Sequence, residues 1–151
     1  MTELPDPRFD QATKYLKGEY FRDQTLDEYI SKARHAKMPL GVVLLEIPKS
    51  YLAGDSREKT LAELKDLIDN LQIQKDGKRI AFDVKAREDR KYFMVIRVAG
   101  LDDCKAVDEV LRHQLQEAGY ANARVTAQSF DPANSNIKKE DILTSLEQAL
   151  K

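Results

Sequence analysis

The run Val42-Val43-Leu44-Leu45 constrains this chain more than any other segment. Four consecutive apolar residues, two of them β-branched, leave no side that can face water, so they read as a strand covered on both faces. Helical stripes flank it. Upstream, Leu26, Tyr29, Ile30 and Ala33 recur at helical spacing, with Thr25-Leu26-Asp27-Glu28 as an expected capping box and Met38-Pro39 as the stop. Downstream, Leu61, Leu64, Leu67, Ile68 and Leu71 mark a second amphipathic helix. Ile80, Phe82 and Val84 then alternate, a charged stretch from Lys85 to Lys91 intervenes, and Tyr92-Phe93-Met94-Val95-Ile96 resumes, which predicts a β-hairpin. Asp102 is expected to cap a helix carrying Val107, Val110, Leu111 and Leu115, and Gly119 to end it. Residues 123–130 read as another strand, and Ile142, Leu143, Leu146, Ala149 and Leu150 as the stripe of a last helix.

The strand-helix-strand-strand-helix-strand core within this order predicts an α+β, ferredoxin-like antiparallel sheet with helices on one face. The 151 residues suit one domain over 1–151, with 1–22 as an N-terminal arm leading into the first helix. A formal net charge of -1 gives no electrostatic reason to expect nucleic acid. Cys104 is the only cysteine, so no internal disulfide forms; Asp102 and Asp103 beside it would raise a thiol pKa, and it reads as a helix-start residue. His35 and His113 have no partner motif and read as surface or helix-face residues. No apolar run approaches membrane-spanning length and Met1-Thr2-Glu3-Leu4-Pro5 is no basic-then-apolar leader, so no membrane insertion and a cytoplasmic location are the expectations.

Three blocks carry a family resemblance. Asp10-Gln11-Ala12-Thr13 with Tyr20-Phe21 resembles the D-x-L-T and closing aromatic pair that open GGDEF (diguanylate cyclase) domains. Pro39 through Ile47 is similar to that family's P-L-A-L-L-L-L-D-I strand. Asp83-Val84-Lys85-Ala86-Arg87 resembles the D-x-V-A-R before the signature hairpin, with Phe93 on the signature's final F. The chain's last helix also matches, so the resemblance implies a nucleotide-cyclase (GGDEF-like) form of the ferredoxin-like fold.

In active members, as the resemblance implies, two carboxylates hold magnesium ions that bridge GTP phosphates. One falls on Glu46 here, the former metal position. The signature falls on Asp89, Arg90, Lys91, Tyr92 and Phe93: its two glycines become Asp89 and Arg90, and Lys91 takes the second metal position, where an ammonium cannot ligate a cation. After the strand, Pro48 through Asp55 runs about five residues shorter than the family's guanine-recognising loop. There Gly54-Asp55 reads equally as a remnant of the family's G-D or as a plain Asx turn. The resemblance therefore implies a degenerate, non-enzymatic bacterial signalling domain with no catalytic residue, no metal and no cofactor.

Two functions follow as expectations. One is a regulatory module that binds a protein partner or a second copy of itself. The other is a cyclic-di-GMP (or GTP) receptor built on a remnant of the family's inhibitory R-x-x-D motif. Asp83 matches that aspartate, Ile80 stands at the arginine position, and Arg79, Arg87 and Arg90 are the nearby guanidinium candidates. A solvated charged hairpin is the plainer reading of the same residues. Finally, Glu46 and Lys91 are expected at the same edge of neighbouring strands, as an ion pair within ~4 Å.

Overall fold

The computed structural model describes residues 7–151; residues 1–6 of the expected arm lie outside the described residues. Among the described residues seven strands form, β1 Leu16–Lys17, β2 Leu40–Glu46, β3 Ile73–Lys75, β4 Lys78–Ile80, β5 Val84–Glu88, β6 Lys91–Arg97 and β7 Arg124–Phe130. The helices are α1 Gly18–Tyr20, α2 Leu26–Ala36, α3 Arg57–Asp69, α4 Leu101–Glu117 and α5 Lys139–Ala149. The main sheet has the order β1-β5-β6-β2-β7, and β3 and β4 pair separately. Strands β5, β6, β2 and β7 are antiparallel neighbours, the ferredoxin-like arrangement, and β1 adds a short parallel edge beside β5.

The run 42–45 sits on the central strand β2 and is wholly buried. Its alternate residues feed two separate cores. Val43 and Leu45 meet Leu64 and Ile68 of α3 and Val107, Leu111 and Leu115 of α4. Val42 and Leu44 meet Leu26, Ile30 and Ala33 of α2 and Ile142 and Leu146 of α5. The two helices of the ferredoxin-like core share one face as expected, and the sheet is covered on both faces because helices outside that core pack on the other. The ferredoxin-like pair α3 and α4 fills one side, and α2 and α5 close the other. Of the last helix's expected stripe, Ala149 is exposed instead.

Four local expectations change. The hairpin's first strand is not 80–84: Ile80 belongs to β4, and β5 runs through the charged stretch. Only Ala86 is an apolar inward residue in the middle of β5, and the charges beside it are matched in space, so a period-2 apolar pattern is absent. Lys85 pairs with Asp69 at 2.6 Å, Arg87 with Asp10 at 3.0 Å, and Glu88 with Arg22. Second, Thr25 caps nothing: it has helical dihedrals, because a π-helical turn over Phe21–Thr25 joins α1 directly to α2. The helix therefore begins at Gly18, and it ends at Lys37, whose φ of +55° gives the left-handed terminus. Third, the N-cap of α4 is Gly100, whose N–H donates to the Asp103 carboxylate at 3.3 Å; Asp102 is in the first turn. Fourth, Gly54-Asp55 forms a short 3-10 turn with φ +70° at Gly54, and among the described residues the Asp55 carboxylate closes no Asx turn.

The segment before α1 is stitched to the sheet by polar contacts. Tyr15 donates to the Asp69 carboxylate at 2.7 Å, while the Lys65 and Lys85 ammoniums lie 5.1 and 5.4 Å from its ring centre and both reach Asp69. Burial alone would raise the Asp69 pKa, but the two ammoniums and the phenol hold it at about 2. Gly18 passes so close to β5 that a Cβ there would lie 2.3 Å from Glu88 Cβ.

Candidate functional site

Antiparallel pairing brings the matched residues to one end of the sheet. Strands β5 and β6 are joined by a two-residue turn at Asp89-Arg90, with Glu88 opposite Lys91. Asp89 has φ +53°, a conformation glycine adopts freely and aspartate tolerates better than most side chains. Arg90 is half-buried; its carbonyl accepts from Ile47 N–H at 2.8 Å, which fixes the turn against the end of β2. Beneath the turn, Arg87 makes two parallel bonds to Asp10 at 3.0 Å, and its third nitrogen donates to the Asp89 carbonyl at 2.8 Å. Asp10 also accepts from the Thr13 hydroxyl at 2.7 Å and its backbone N–H at 3.0 Å. Burial would push the Asp10 carboxyl up, but the bonds from Arg87 and Thr13 outweigh it and hold the group below its ordinary value.

The register places Glu46 directly opposite Lys91 on one side and Arg124 on the other, all three on the α2/α5 face. The expected Glu46–Lys91 ion pair does not form. Lys91 Nζ donates instead to Glu147 of α5 at 2.7 Å, and Arg124 donates to the Leu150 carbonyl at 2.8 Å. Strand register fixed which backbones meet; the position of α5 decided which carboxylate the ammonium found. Among the described residues Glu46 has no ion pair, and no group of three His, Cys, Asp or Glu could hold a metal. One carboxylate between two cationic neighbours does not fit magnesium, which asks for several oxygen ligands.

The last two signature positions are interior. Phe93 stacks on Phe21 with ring centres 5.2 Å apart. Tyr92 is fully buried on the opposite face beside Tyr15, and its hydroxyl is the one buried side-chain polar atom without a partner among the described residues. Burial pushes its pKa up to about 12. An orphaned buried hydroxyl costs free energy that phenylalanine would not. Tyr92→Phe is therefore expected to raise stability by ~1 kcal/mol in a urea melt; a loss would show that the hydroxyl has a partner.

The four guanidinium and carboxylate candidates fall into two groups. Arg79 and Asp83 line a hollow of about 230 Å³ together with Lys78 and Arg97. Asp83 is held there by the Tyr29 hydroxyl and by Arg97 at 3.2 Å. Arg87 lies near the far end of β5, about 13 Å away for four residues of strand, and Arg90 is in the turn beyond it. Arg87 is committed to Asp10, so it is not brought to Asp83. Arg97 was not singled out in the sequence, although a cation closing an apolar strand run was the available signal. Cys104 is buried, its thiol pushed up to about 11 by burial and by Asp103, so it is no nucleophile. His35 and His113 are exposed.

No family model and no curated protein matches the chain. Solved structures do. The GGDEF domain of DgcB from Caulobacter crescentus, in complex with c-di-GMP, is 12% identical, with TM-score 0.73 over 99% of this chain and 91% of that one. Diguanylate cyclase SiaD in complex with its activator SiaC, from Pseudomonas aeruginosa, is 14% identical, with TM-score 0.74 over 95% and 56%. The Vibrio cholerae LapD S helix-GGDEF-EAL fragment bound to c-di-GMP is 18% identical, with TM-score 0.71 over 95% of this chain. The chain spans 33% of that LapD fragment. The fold is that of the α+β nucleotide-cyclase class. Within that class, its fold is that of the GGDEF domains. No helix among the described residues is long and apolar enough to cross a membrane.

Proposed function

We propose that this chain is a GGDEF-like domain without cyclase activity that acts as a regulatory protein-interaction module. The observation that carries the reading is Lys91. By the resemblance it falls on a metal position of the family's signature; it stands opposite Glu46, and its ammonium is tied to Glu147. Asp89 and Arg90 in place of two glycines support it, because an anionic side chain at the turn repels phosphate. SiaD, which carries this fold over part of its length, was solved in complex with its activator SiaC. Long incubation with GTP and either magnesium or manganese, followed by chromatography, is expected to yield no cyclic-di-GMP; product above a protein-free blank overturns the reading.

One observation favours a second reading, a cyclic-di-GMP receptor. Arg79, Asp83 and Arg97 surround one hollow, and the DgcB and LapD structures were both solved with c-di-GMP. Guanidinium groups both stack on purines and fork onto phosphates. Calorimetry should then show binding that Asp83→Ala or Arg97→Ala weakens at least tenfold. Unchanged binding in both variants removes the site from this hollow.

A further inference from the structure

At the end of β6 away from the signature turn, a groove of about 490 Å³ opens between the last turn of α2 and the residues after Arg97. Its floor is apolar: Ala33, Ala36, Met38, Leu40 and Val98. Met38 and Val98 are 42% and 41% exposed, unusual for large apolar side chains that could have turned inward. Val98 is also β-branched at φ +56°, a strained conformation that costs ~1–3 kcal/mol unless its surroundings over-determine it. Lys32, Lys78 and Arg97 reach the rim from three different elements. Arg97 is paired with Asp83 at 3.2 Å, but among the described residues neither Lys32 nor Lys78 has a carboxylate partner, so the rim carries two unneutralised ammoniums on a chain of net charge -1.

Three residues beyond Val98 stands its chemical opposite. Leu101 is 65% exposed, the most exposed large apolar residue of the described chain. Asp102 follows it with a side chain 78% exposed, touched only by Lys75 at 3.5 Å. An apolar knob bearing a carboxylate lies beside an apolar groove with two unneutralised ammoniums on its rim. Knob and groove side by side on one surface are what a two-fold contact requires, since each copy then gives and receives the same contact. We propose that this chain forms a two-fold homodimer in which Leu101 and Asp102 of each copy enter the Met38–Val98 groove of the other, with Asp102 meeting Lys32 and Lys78. This deepens the interaction-module reading by naming a second copy as the partner, and it involves neither the signature turn nor Asp83.

Charge reversal gives the test, because the contact is reciprocal. In sedimentation of the full chain, the wild type is expected to pass from one chain's mass to two as concentration rises. Asp102→Lys alone, and Lys32→Glu/Lys78→Glu alone, should each weaken association at least tenfold while circular dichroism shows an unchanged fold. Mixed together, they should re-form a dimer, since the reversed knob meets the reversed groove and the native knob meets the native groove. Leu101→Ser should weaken association in either background. A wild type monomeric at every concentration, variants that associate as well as wild type, or a mixture that stays monomeric each overturn the proposal. So does a dimer that appears only when cyclic-di-GMP is added, which would assign the groove to the nucleotide. A monomeric chain leaves the absence of cyclase activity standing, because that is read in a different assay.

Discussion

Arg87→Ala is expected to destabilise the fold by ~3–5 kcal/mol, the usual cost of stranding one member of a buried ion pair. The pair is well inside: the Arg87 and Asp10 side chains are 7% and 18% exposed. Removing the guanidinium breaks both bonds to Asp10 and the bond to the Asp89 carbonyl, and leaves a carboxylate whose remaining support is Thr13. Asp10→Leu combined with Arg87→Met should cost less than the sum of the two single changes, because neither partner is then left charged and alone. Acid titration gives a second readout. The folded Asp10 pKa lies below its ordinary value, as does that of Asp69 at about 2. Groups depressed in the folded state contribute stability that is full above the unfolded carboxylate pKa, ~3.9. That contribution is lost as pH falls toward the folded value. Wild-type stability should therefore decline below about pH 4. The decline should be shallower in Arg87→Ala, where Asp10 no longer gains from its partner. A single-variant loss under ~1 kcal/mol would show the pair to behave as a surface bridge.

Gly18→Ala should destabilise by ~2 kcal/mol, against the helix-propensity trend. In an open helical position the change would gain up to ~1 kcal/mol. Here the new methyl would sit 2.3 Å from Glu88 Cβ and 3.3 Å from its Cα, so backbone must move. Overpacking of that kind costs ~1–3 kcal/mol and wins over propensity. The same substitution at Gly100, where an added methyl meets nothing within 4 Å, serves as the control. Equal chemical-denaturation midpoints for the two variants would show that the approach of α1 to β5 is not tight.

The central run at Val42 was legible because a both-sided apolar strand has no other use, and the helical stripes at Leu61 and Val107 were legible because each fills one face. Strand β5 was not legible. Its residues are charged, and each charge is satisfied by a partner far along the chain, Asp10 for Arg87 and Asp69 for Lys85. Thr25 failed for a related reason: a capping motif reports local preference, and here burial of Phe21 against Phe93 carried the helix backward through it. At the site, Glu46 and Lys91 were correctly set opposite one another by register. The ammonium's choice of Glu147 depended on how α5 crosses the sheet, which no local pattern encodes. Asp10 and Arg87 both stood in blocks that resembled the family, yet nothing short of the tertiary structure shows that they hold each other.

The stitching of residues 9–17 onto β5 has a consequence for the order in which parts of this molecule form and open. Its fastenings span long stretches of chain: 54 residues from Tyr15 to Asp69 and 77 from Asp10 to Arg87. Contacts of such separation close only after much of the chain is already collapsed, since the loop entropy must be met first. Only Tyr15 and Leu16 anchor the segment in the two cores, and its other fastenings are polar. Residues 9–17 and the Asp89-Arg90 turn should therefore detach together as one sub-global unit, below the free energy of full unfolding. Amide hydrogen exchange would report the turn and this distant segment with a shared opening free energy, while the amides of β2 persist to the global limit.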